Sequence, residues 1–306
     1  MATKAKTTSR AKAAKTTRPA TAKAARTTTK KTVAKTAPVA VSRPSTAQKT
    51  YLLSNDLSGA QVIGETIGTF LFVSAVLAST GNPLIVALAL AALVAVVFSV
   101  SGAHLNPAIT FGLWTMRKIS ATKMVFYWMA QFVGAILALF ALSAFSGTSP
   151  SLSLSSFINW DWRIVFAELI GMSIFMFAIV AATSRAKTDN SKAATIGLGI
   201  FLALIVSTNL FQEAVNNENT KFTTEQQKNP NPDATTPRIL KISGTTLNPA
   251  VAFSQTETES QNTISGSQTK STGASRLTLE TLMGTFIGAA VGGWLYVLLA
   301  RYSSES

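Results

Sequence analysis

The feature that most constrains this chain is a series of six long apolar runs that follow residue 60. A helix needs about 20 residues to cross a hydrocarbon layer about 30 Å thick, and each run has roughly that length. The runs at 83–100 and 124–145 contain no charged residue, whereas a helix in a soluble protein normally shows a polar face. The sequence therefore predicts six transmembrane helices, at about 61–79, 83–100, 124–145, 164–183, 193–211 and 278–300.

The basic residues are concentrated at the N-terminus. Residues 1–50 contain 13 of the 27 Lys and Arg residues, and they contain no acidic and no aromatic residue. Such a stretch cannot bury enough apolar surface to offset its ordering entropy, so we expect a disordered cytoplasmic tail that lies near anionic lipid. A nucleic-acid-binding tail and an organelle transit peptide are the alternatives that stay open.

Basic residues also predict the orientation of the helices. Loops on the cytoplasmic side of a membrane are enriched in Lys and Arg, and the connections at 117–123 and 185–192 each contain three of these residues. With the tail inside, an even number of spans places both termini in the cytoplasm, and the plasma membrane is the expected location. Two long polar insertions, at about 212–241 and 254–276, then lie outside.

The residue inventory excludes several kinds of site. The absence of cysteine excludes disulfides, thiolate metal sites and cysteine nucleophiles, and the single histidine, His104, leaves no histidine partner for a zinc site. The chain is 47% hydrophobic, and residues 51–306 carry only +1 of the formal net charge of +14 because the tail carries 13. The composition of residues 51–306 is unlike that of an ordinary soluble enzyme, and we expect no enzymatic activity, no cofactor and no metal.

Two motifs occur twice in the chain. A Glu-x-x-Gly pattern begins at Glu65 and again at Glu168, and the pattern Ser-Gly-x-x-Leu-Asn-Pro-Ala begins at Ser101 and again at Ser243. Each pair of motifs belongs to a unit of three predicted spans. Since three is odd, the two units must cross the membrane in opposite directions, as an inverted repeat. The predicted channel domain is 51–306, with repeats at about 60–145 and 163–300.

Each Asn-Pro-Ala sequence predicts the start of a short helix. Asparagine is a strong N-cap residue, and a proline at the first helical position loses no hydrogen bond. The apolar stretches that follow, Ile109–Trp114 and Val251–Phe253, are too short to span a bilayer. In an inverted repeat these half-helices bring their positive ends together at the midplane, where each asparagine can turn its NH₂ donors into a pore. The motifs are Asn106, Pro107 and Ala108, and Asn248, Pro249 and Ala250.

Ionisable residues inside apolar spans require partners. We expect Glu65 and Glu168 each to accept backbone N–H groups of their own re-entrant loop, and acid/base chemistry or a proton relay is the alternative. His104 is expected to brace the loop or to line the pore rather than to gate it by pH. Two GxxxG steps on the sixth span predict close helix packing, at Gly284, Gly288 and Gly292.

The inverted repeat with two Asn-Pro-Ala motifs resembles the major intrinsic protein family, the aquaporins and aquaglyceroporins, over about residues 60–300. The segments SGAHLNPAITFG and AQFVGA (130–135) carry the resemblance together with the second LNPA and the paired Glu motifs. It implies an all-α membrane protein with six transmembrane helices and two half-helices around a narrow pore, assembled as a homotetramer. In that fold Asn106 and Asn248 are the pore asparagines.

The resemblance also implies a passive channel for water and small uncharged solutes such as glycerol, with the lipid bilayer around it and no nucleic acid as partner. Two other functions stay open. A secondary active transporter also uses inverted repeats and broken helices. A membrane-anchored scaffold would use the basic tail to bind lipid or nucleic acid and would retain only a vestigial pore.

The chain departs from the family at the constriction of the pore. The arginine that typically follows the second Asn-Pro-Ala is replaced by Val251. The other positions of the family's selectivity filter fall on Val86, Leu204 and Thr245. The expected filter lacks both its aromatic side chain and its cation, so we expect it to discriminate less strictly than a water channel does.

Overall fold

The computed structural model describes residues 57–147, 150, 152–231, 234–263 and 266–305. The predicted basic tail at 1–50 lies outside these residues. The described chain forms eight α-helices: α1 (Gly59–Ala78), α2 (Pro83–Ser101), α3 (Pro107–Thr115), α4 (Ala121–Ser146), α5 (Trp162–Arg185), α6 (Asp189–Lys228), α7 (Pro249–Ser254) and α8 (Leu279–Glu305). A 3₁₀ helix at Arg238–Lys241 and two strands, β1 (Thr256–Thr263) and β2 (Gly266–Ser275), lie between α6 and α8.

Six of the described helices are long and apolar enough to cross a membrane, and they confirm the six predicted spans. Polar side chains set their starts, because an N-cap oxygen accepts the otherwise unpaired N–H groups of the first turn. The caps of five of them are Ser58, Asn82, Ser120, Asp161 and Thr188. The chain is therefore an integral, multi-pass membrane protein whose described core is helical.

The contacts between helices are the same in both halves of the chain. Helix α1 packs against α2 and α4, and α5 packs in the same way against α6 and α8. Helices α2 and α6 join the two halves, and each half-helix also crosses to the other half, with α3 against α8 and α7 against α4. Such an exchange of equivalent contacts is what an inverted repeat predicts.

Helix α8 approaches α5 at the glycines of the two GxxxG steps. A Cβ atom added to Gly284 would lie 2.6 Å from the carbonyl oxygen of Val165, and one added to Gly288 would lie 2.5 Å from that of Leu169. Gly292 faces the carbonyl of Ser173 in the same way. The predicted close packing is confirmed, because only glycine leaves room for backbone against backbone along this contact.

We expect the Gly288→Ala variant to be less stable than the wild type by about 1–3 kcal/mol, since the new methyl group overpacks a contact made of backbone. Thermal unfolding of the purified protein in detergent measures the loss as a lower Tm. Gly59→Ala is the matched control, because a Cβ atom there meets nothing within 4 Å. Equal Tm values for the two variants would contradict the close approach of the helices.

The first polar insertion begins as a continuation of the fifth span. Helix α6 continues past the predicted end at residue 211 as far as Lys228, because the sequence offers neither glycine nor proline before Pro230. Asn229 leaves the helical conformation, with φ −134° and ψ 82°, as a residue before proline tends to do. The added 17 residues extend the helix by about 25 Å.

The second polar insertion forms a β-hairpin, which the sequence analysis did not predict. Strands β1 and β2 pair antiparallel, with Thr256 opposite Ser275 at the base.

Two arginines tie the insertions to the ends of the transmembrane helices. The ion pairs join Arg163 to Asp161 (2.7 Å) and Glu218 (2.6 Å), and Arg238 to Glu257 (2.5 Å) and Glu280 (2.6 Å).

Candidate functional site

Both Asn-Pro-Ala motifs start a short helix whose first turn is capped by the asparagine. The Oδ1 atom of Asn106 accepts the backbone N–H of Ala108 at 2.8 Å, and that of Asn248 accepts the N–H of Ala250 at 2.9 Å. Pro107 and Pro249 occupy the first helical position in α3 and α7. Both side chains are almost completely buried, Asn106 at 3% and Asn248 at 2% exposed, so the two helix starts lie deep inside the protein.

The two asparagines also link the two halves of the chain. The Nδ2 atom of Asn106 donates to the carbonyl of Leu247 at 2.8 Å, and the Nδ2 atom of Asn248 donates to the carbonyl of Leu105 at 3.0 Å. An amide NH₂ has two N–H donors, and one is therefore used by each cross-link. The prediction that both donors of each asparagine face a pore is therefore wrong, because the opposite loop takes one of the two.

Two buried carboxylates hold the loops that precede the half-helices. Each glutamate is fully buried and accepts two consecutive backbone N–H groups from the loop of its own half. The bonds join Glu65 to His104 (2.9 Å) and Leu105 (2.8 Å), and Glu168 to Thr246 (2.8 Å) and Leu247 (2.8 Å). Non-helical backbone in a membrane protein requires such partners, because lipid offers none.

The loops contain strained backbone at equivalent positions. Leu105 and Leu247, each directly before an asparagine, have φ values of 50° and 52°, a region that non-glycine residues rarely adopt. Their side chains fill the space left by the repeated glycines. A Cβ atom on Gly68 would lie 2.5 Å from Leu105, and one on Gly171 would lie 2.5 Å from Leu247.

Gln131, a residue of the AQFVGA segment, completes the environment of Glu65. The Nε2 atom of Gln131 donates to Glu65 at 2.8 Å and to the hydroxyl of Thr110 at 3.0 Å. The Ser101 hydroxyl donates to the other carboxylate oxygen at 2.7 Å. With the two backbone donors, the four acceptor positions of the Glu65 carboxylate are all occupied.

His104 lies beside a small, mostly apolar cavity, which we call the histidine cavity. Its Nδ1 atom is 3.1 Å from the hydroxyl of Thr110, and its ring centroid is 4.9 Å from that of Tyr127. The centres of water-sized molecules can occupy about 20 Å³ of this cavity, which is enough to hold water. Its walls include Leu90, Phe98, His104, Ile109, Leu113, Ile179 and Ile196.

The four residues assigned to the selectivity filter line a second cavity, which we call the filter cavity. Val86 comes from α2, Leu204 from α6, Thr245 from the second loop and Val251 from α7. The centres of water-sized molecules can occupy about 30 Å³ there. The ten described wall residues include no charged side chain, and the other six are Phe72, Val76, Gly81, Ile200, Thr246 and Gln255.

The two cavities lie at successive heights along the same two helices. On α2, Val86 lines the filter cavity and Leu90 the histidine cavity, about 6 Å apart along the axis. On α6 the order is reversed, with Leu204 at the filter cavity and Ile196 at the histidine cavity. Each cavity is also lined by one half-helix, α3 at the histidine cavity and α7 at the filter cavity. The two cavities therefore flank the loops that precede these half-helices.

Three polar residues around the filter cavity were missed from the sequence. The hydroxyls of Ser207 and Thr245 are 2.7 Å apart. Gln255 lines the cavity itself, and the buried Arg276 donates to its side chain. No motif marks these residues, because they lie in the fifth span and at the two ends of the β-hairpin, outside the repeated segments.

Known aquaporins are similar to about two fifths of the chain. Aquaporin-1 of Sus scrofa is 36% identical over 121 residues, which are 38% of this chain and 45% of that protein. Probable aquaporin TIP1-2 of Oryza sativa subsp. japonica is 34% identical over 119 residues, 38% of this chain and 47% of that protein. The chain thus spans about half the length of the curated relatives it matches.

A solved structure also aligns with this chain. The X-ray structure of the aquaglyceroporin from Plasmodium falciparum is 16% identical, with a TM-score of 0.47, over 81% of this chain and 99% of that chain.

The family model described as major intrinsic protein matches residues 56–218, more than half of the 306 residues. The match includes Glu65, Asn106 and Glu168. The second motif, at Asn248, lies beyond it, but its side chain completes the reciprocal bonds with the first. The chain belongs to the major intrinsic protein family.

Proposed function

We propose that the chain is a passive channel for water and small uncharged solutes such as glycerol. The observation that carries this function is the pair of buried half-helix starts, each capped by an asparagine and flanked by a cavity large enough for water. A solute that moves in single file exchanges its bonds to bulk water for bonds to such donors and to loop carbonyls. The two converging positive helix ends oppose the passage of cations and protons.

The proposed path uses residues from both halves. Asn106 and Asn248 form its centre, with one N–H donor each left for the solute. Val86, Leu204, Thr245 and Val251 form the selectivity filter, and His104 lies at the histidine cavity. Because the filter walls carry no charge, solutes are selected by size and by hydrogen bonding rather than by charge.

The buried carboxylates support a channel and not an enzyme. A general acid or base needs a lone pair or a proton that can reach a reactant. In Glu65 all four acceptor positions are occupied by described donors, and Glu168 accepts three hydrogen bonds from the loop of the second motif. We infer that both glutamates brace the loops and take no part in a reaction or a proton relay.

We infer the assembly and the orientation from the family and the charges. The channel domain at 51–306 forms a homotetramer in the plasma membrane, with both termini and the basic tail in the cytoplasm. Cross-linking of the detergent-solubilised protein tests the tetramer. Protease access to the tail in sealed vesicles of known orientation tests the topology.

The function is tested by osmotic swelling of vesicles that contain the purified protein. Water and glycerol permeabilities are measured by stopped-flow light scattering in the same preparation, with empty vesicles as the reference. We expect both permeabilities to exceed those of empty vesicles, with no dependence on an ion gradient. A transporter would show a dependence on an ion gradient, and a scaffold with a vestigial pore would leave both permeabilities at the level of empty vesicles.

We expect Asn106→Ala and Asn248→Ala each to lower both stability and permeability. Either change removes a helix cap, which is worth about 0.5–2 kcal/mol, and also the bond to the opposite loop. Swelling rates per inserted channel, together with Tm in detergent, measure the two effects. Asn82→Ala removes a cap from the exposed start of α2 and is the control, since it touches neither loop. Wild-type permeability in both motif variants would contradict the central role of the asparagines.

A further inference from the structure

The filter cavity contains one polar side chain whose donors the loops do not use. Among its described wall residues, three have polar side chains: Thr245, Thr246 and Gln255. The hydroxyl of Thr245 is paired with Ser207 at 2.7 Å, and that of Thr246 donates to Glu168 at 3.0 Å. Both hydroxyls can still accept a hydrogen bond, so what the carboxamide of Gln255 adds for a solute is an NH₂ donor.

Arg276 holds the oxygen end of this carboxamide. Its Nη1 atom donates to the Oε1 atom of Gln255 at 2.7 Å, and its backbone N–H donates to the Gln255 carbonyl at 2.9 Å. An arginine can only donate, so it selects the oxygen of the amide and turns the NH₂ group away from itself. The charged partner thus holds the carboxamide of Gln255 in one orientation, and the amide is not free to rotate.

Arg276 is itself fixed by the second loop and by burial. It is 3% exposed, and its Nη2 atom donates to the carbonyl of Gly244, directly before Thr245. Burial lowers the pKa of its guanidinium, and the carboxylate of Glu168 acts in the opposite direction. The guanidinium of Arg276 therefore links Gly244, in the loop before the second half-helix, to Gln255, directly after that half-helix.

The β-hairpin brings these two residues together. Gln255 ends α7 directly before β1, and Arg276 follows directly after β2. The Ser275 hydroxyl donates to the carbonyl of Phe253 at 2.9 Å, which closes the base of the hairpin on the last turn of α7. The insertion thus brings an arginine, 25 residues after Val251, into contact with a wall residue of the filter cavity.

We propose that Gln255 is the hydrogen-bond donor of the selectivity filter and that Arg276 is the positioning residue that aims it. This role rests on the proposed channel function. A neutral donor in a wall without charged side chains among its described residues favours uncharged solutes that carry an acceptor oxygen, such as water and polyols. The charge of Arg276 lies behind the wall and outside the cavity lining, so it orients Gln255 without narrowing the path.

The first test replaces the donor with a side chain of similar length. We expect Gln255→Met to lower the water and glycerol permeabilities per inserted channel by about fivefold, the factor that one hydrogen bond accounts for. Loss of this donor makes the wall of the filter cavity more apolar and harder to wet. Thr256→Val is the matched control, since it changes the next residue, which is not among the wall residues of the cavity.

The second test asks whether Arg276 acts through Gln255. We expect Arg276→Met to lower permeability by a similar factor and Arg276→Lys to recover part of it, because lysine still donates to Oε1. In the double variant with Gln255→Met, the second change should add almost nothing, as residues that act through one another are non-additive. Arg238→Met, in the neighbouring ion-pair cluster, controls for general weakening of the insertion. If Arg276→Met does not fold, Arg276→Lys combined with Gln255→Met provides the same comparison.

Each outcome decides a different point. A permeable wild type with unchanged permeability in Gln255→Met overturns the donor role alone. Independent, multiplicative effects of the two changes overturn the positioning role of Arg276. A wild type that passes neither water nor glycerol overturns the proposed channel function, and the inference falls with it.

Discussion

Glu168→Leu is expected to abolish the folded channel. The change leaves the N–H groups of Thr246 and Leu247 and the hydroxyl of Thr246 buried without an acceptor. Each unsatisfied buried donor costs about 1–3 kcal/mol, so the sum approaches the whole stability of a typical domain, about 5–15 kcal/mol. The yield of monodisperse protein in detergent and its Tm measure the effect.

A matched substitution separates this effect from the loss of a charge. Glu213 lies exposed on the extension of α6. We expect Glu213→Leu to keep the wild-type yield and to change the free energy of unfolding by no more than about 0.5 kcal/mol, so that its Tm stays close to that of the wild type. A Glu168→Leu protein that is as stable as Glu213→Leu would contradict the bracing role of the carboxylate. Glu65→Leu should behave like Glu168→Leu, because the two residues occupy equivalent positions.

Val251→Arg is expected to reduce glycerol permeability by at least about tenfold and water permeability by less. Val251 is 2% exposed and lines the filter cavity together with Val86 and Leu204. A guanidinium there fills part of the cavity and offers donors to a passing solute, and narrowing excludes glycerol before water. Paired swelling measurements in water and glycerol gradients provide the permeability ratio.

The control for this change is Val251→Met, which adds length without donors or charge. We expect it to reduce both permeabilities with a smaller change in their ratio. If the wild type passes water alone and Val251→Arg leaves the ratio unchanged, the assignment of Val251 to the filter is wrong.

The sequence was sufficient for the elements whose signal is local. Six apolar runs of membrane length predicted six helices to within a few residues at most ends, because a bilayer demands both length and apolarity. Asparagine followed by proline predicted the starts of α3 and α7, since capping depends on neighbouring residues only. Gly284, Gly288 and Gly292 predicted the close contact of α8 with another helix, although not that this helix is α5.

The polar insertions show where local signals were not enough. Residues 212–228 lack the apolar face of a buried helix, so the predicted span ended at residue 211, yet these residues extend α6 to Lys228. The extension is supported by contacts that are distant in sequence, such as Arg163 with Glu218 at 2.6 Å. The hairpin was missed for a related reason, because strand formation depends on a pairing partner more than on composition.

The sequence alone determined the inverted repeat, the six spans, the two capped half-helices and the lack of a cation at position 251. The tertiary structure decided how their hydrogen bonds are shared. Asn106 and Asn248 each give one N–H to a carbonyl 141 and 143 positions away in the chain, and Gln255 is aimed by Arg276 across the hairpin. A cap is closed by atoms two or three residues apart and is encoded locally, whereas these donors acquire their partners only when the two halves pack and exclude water.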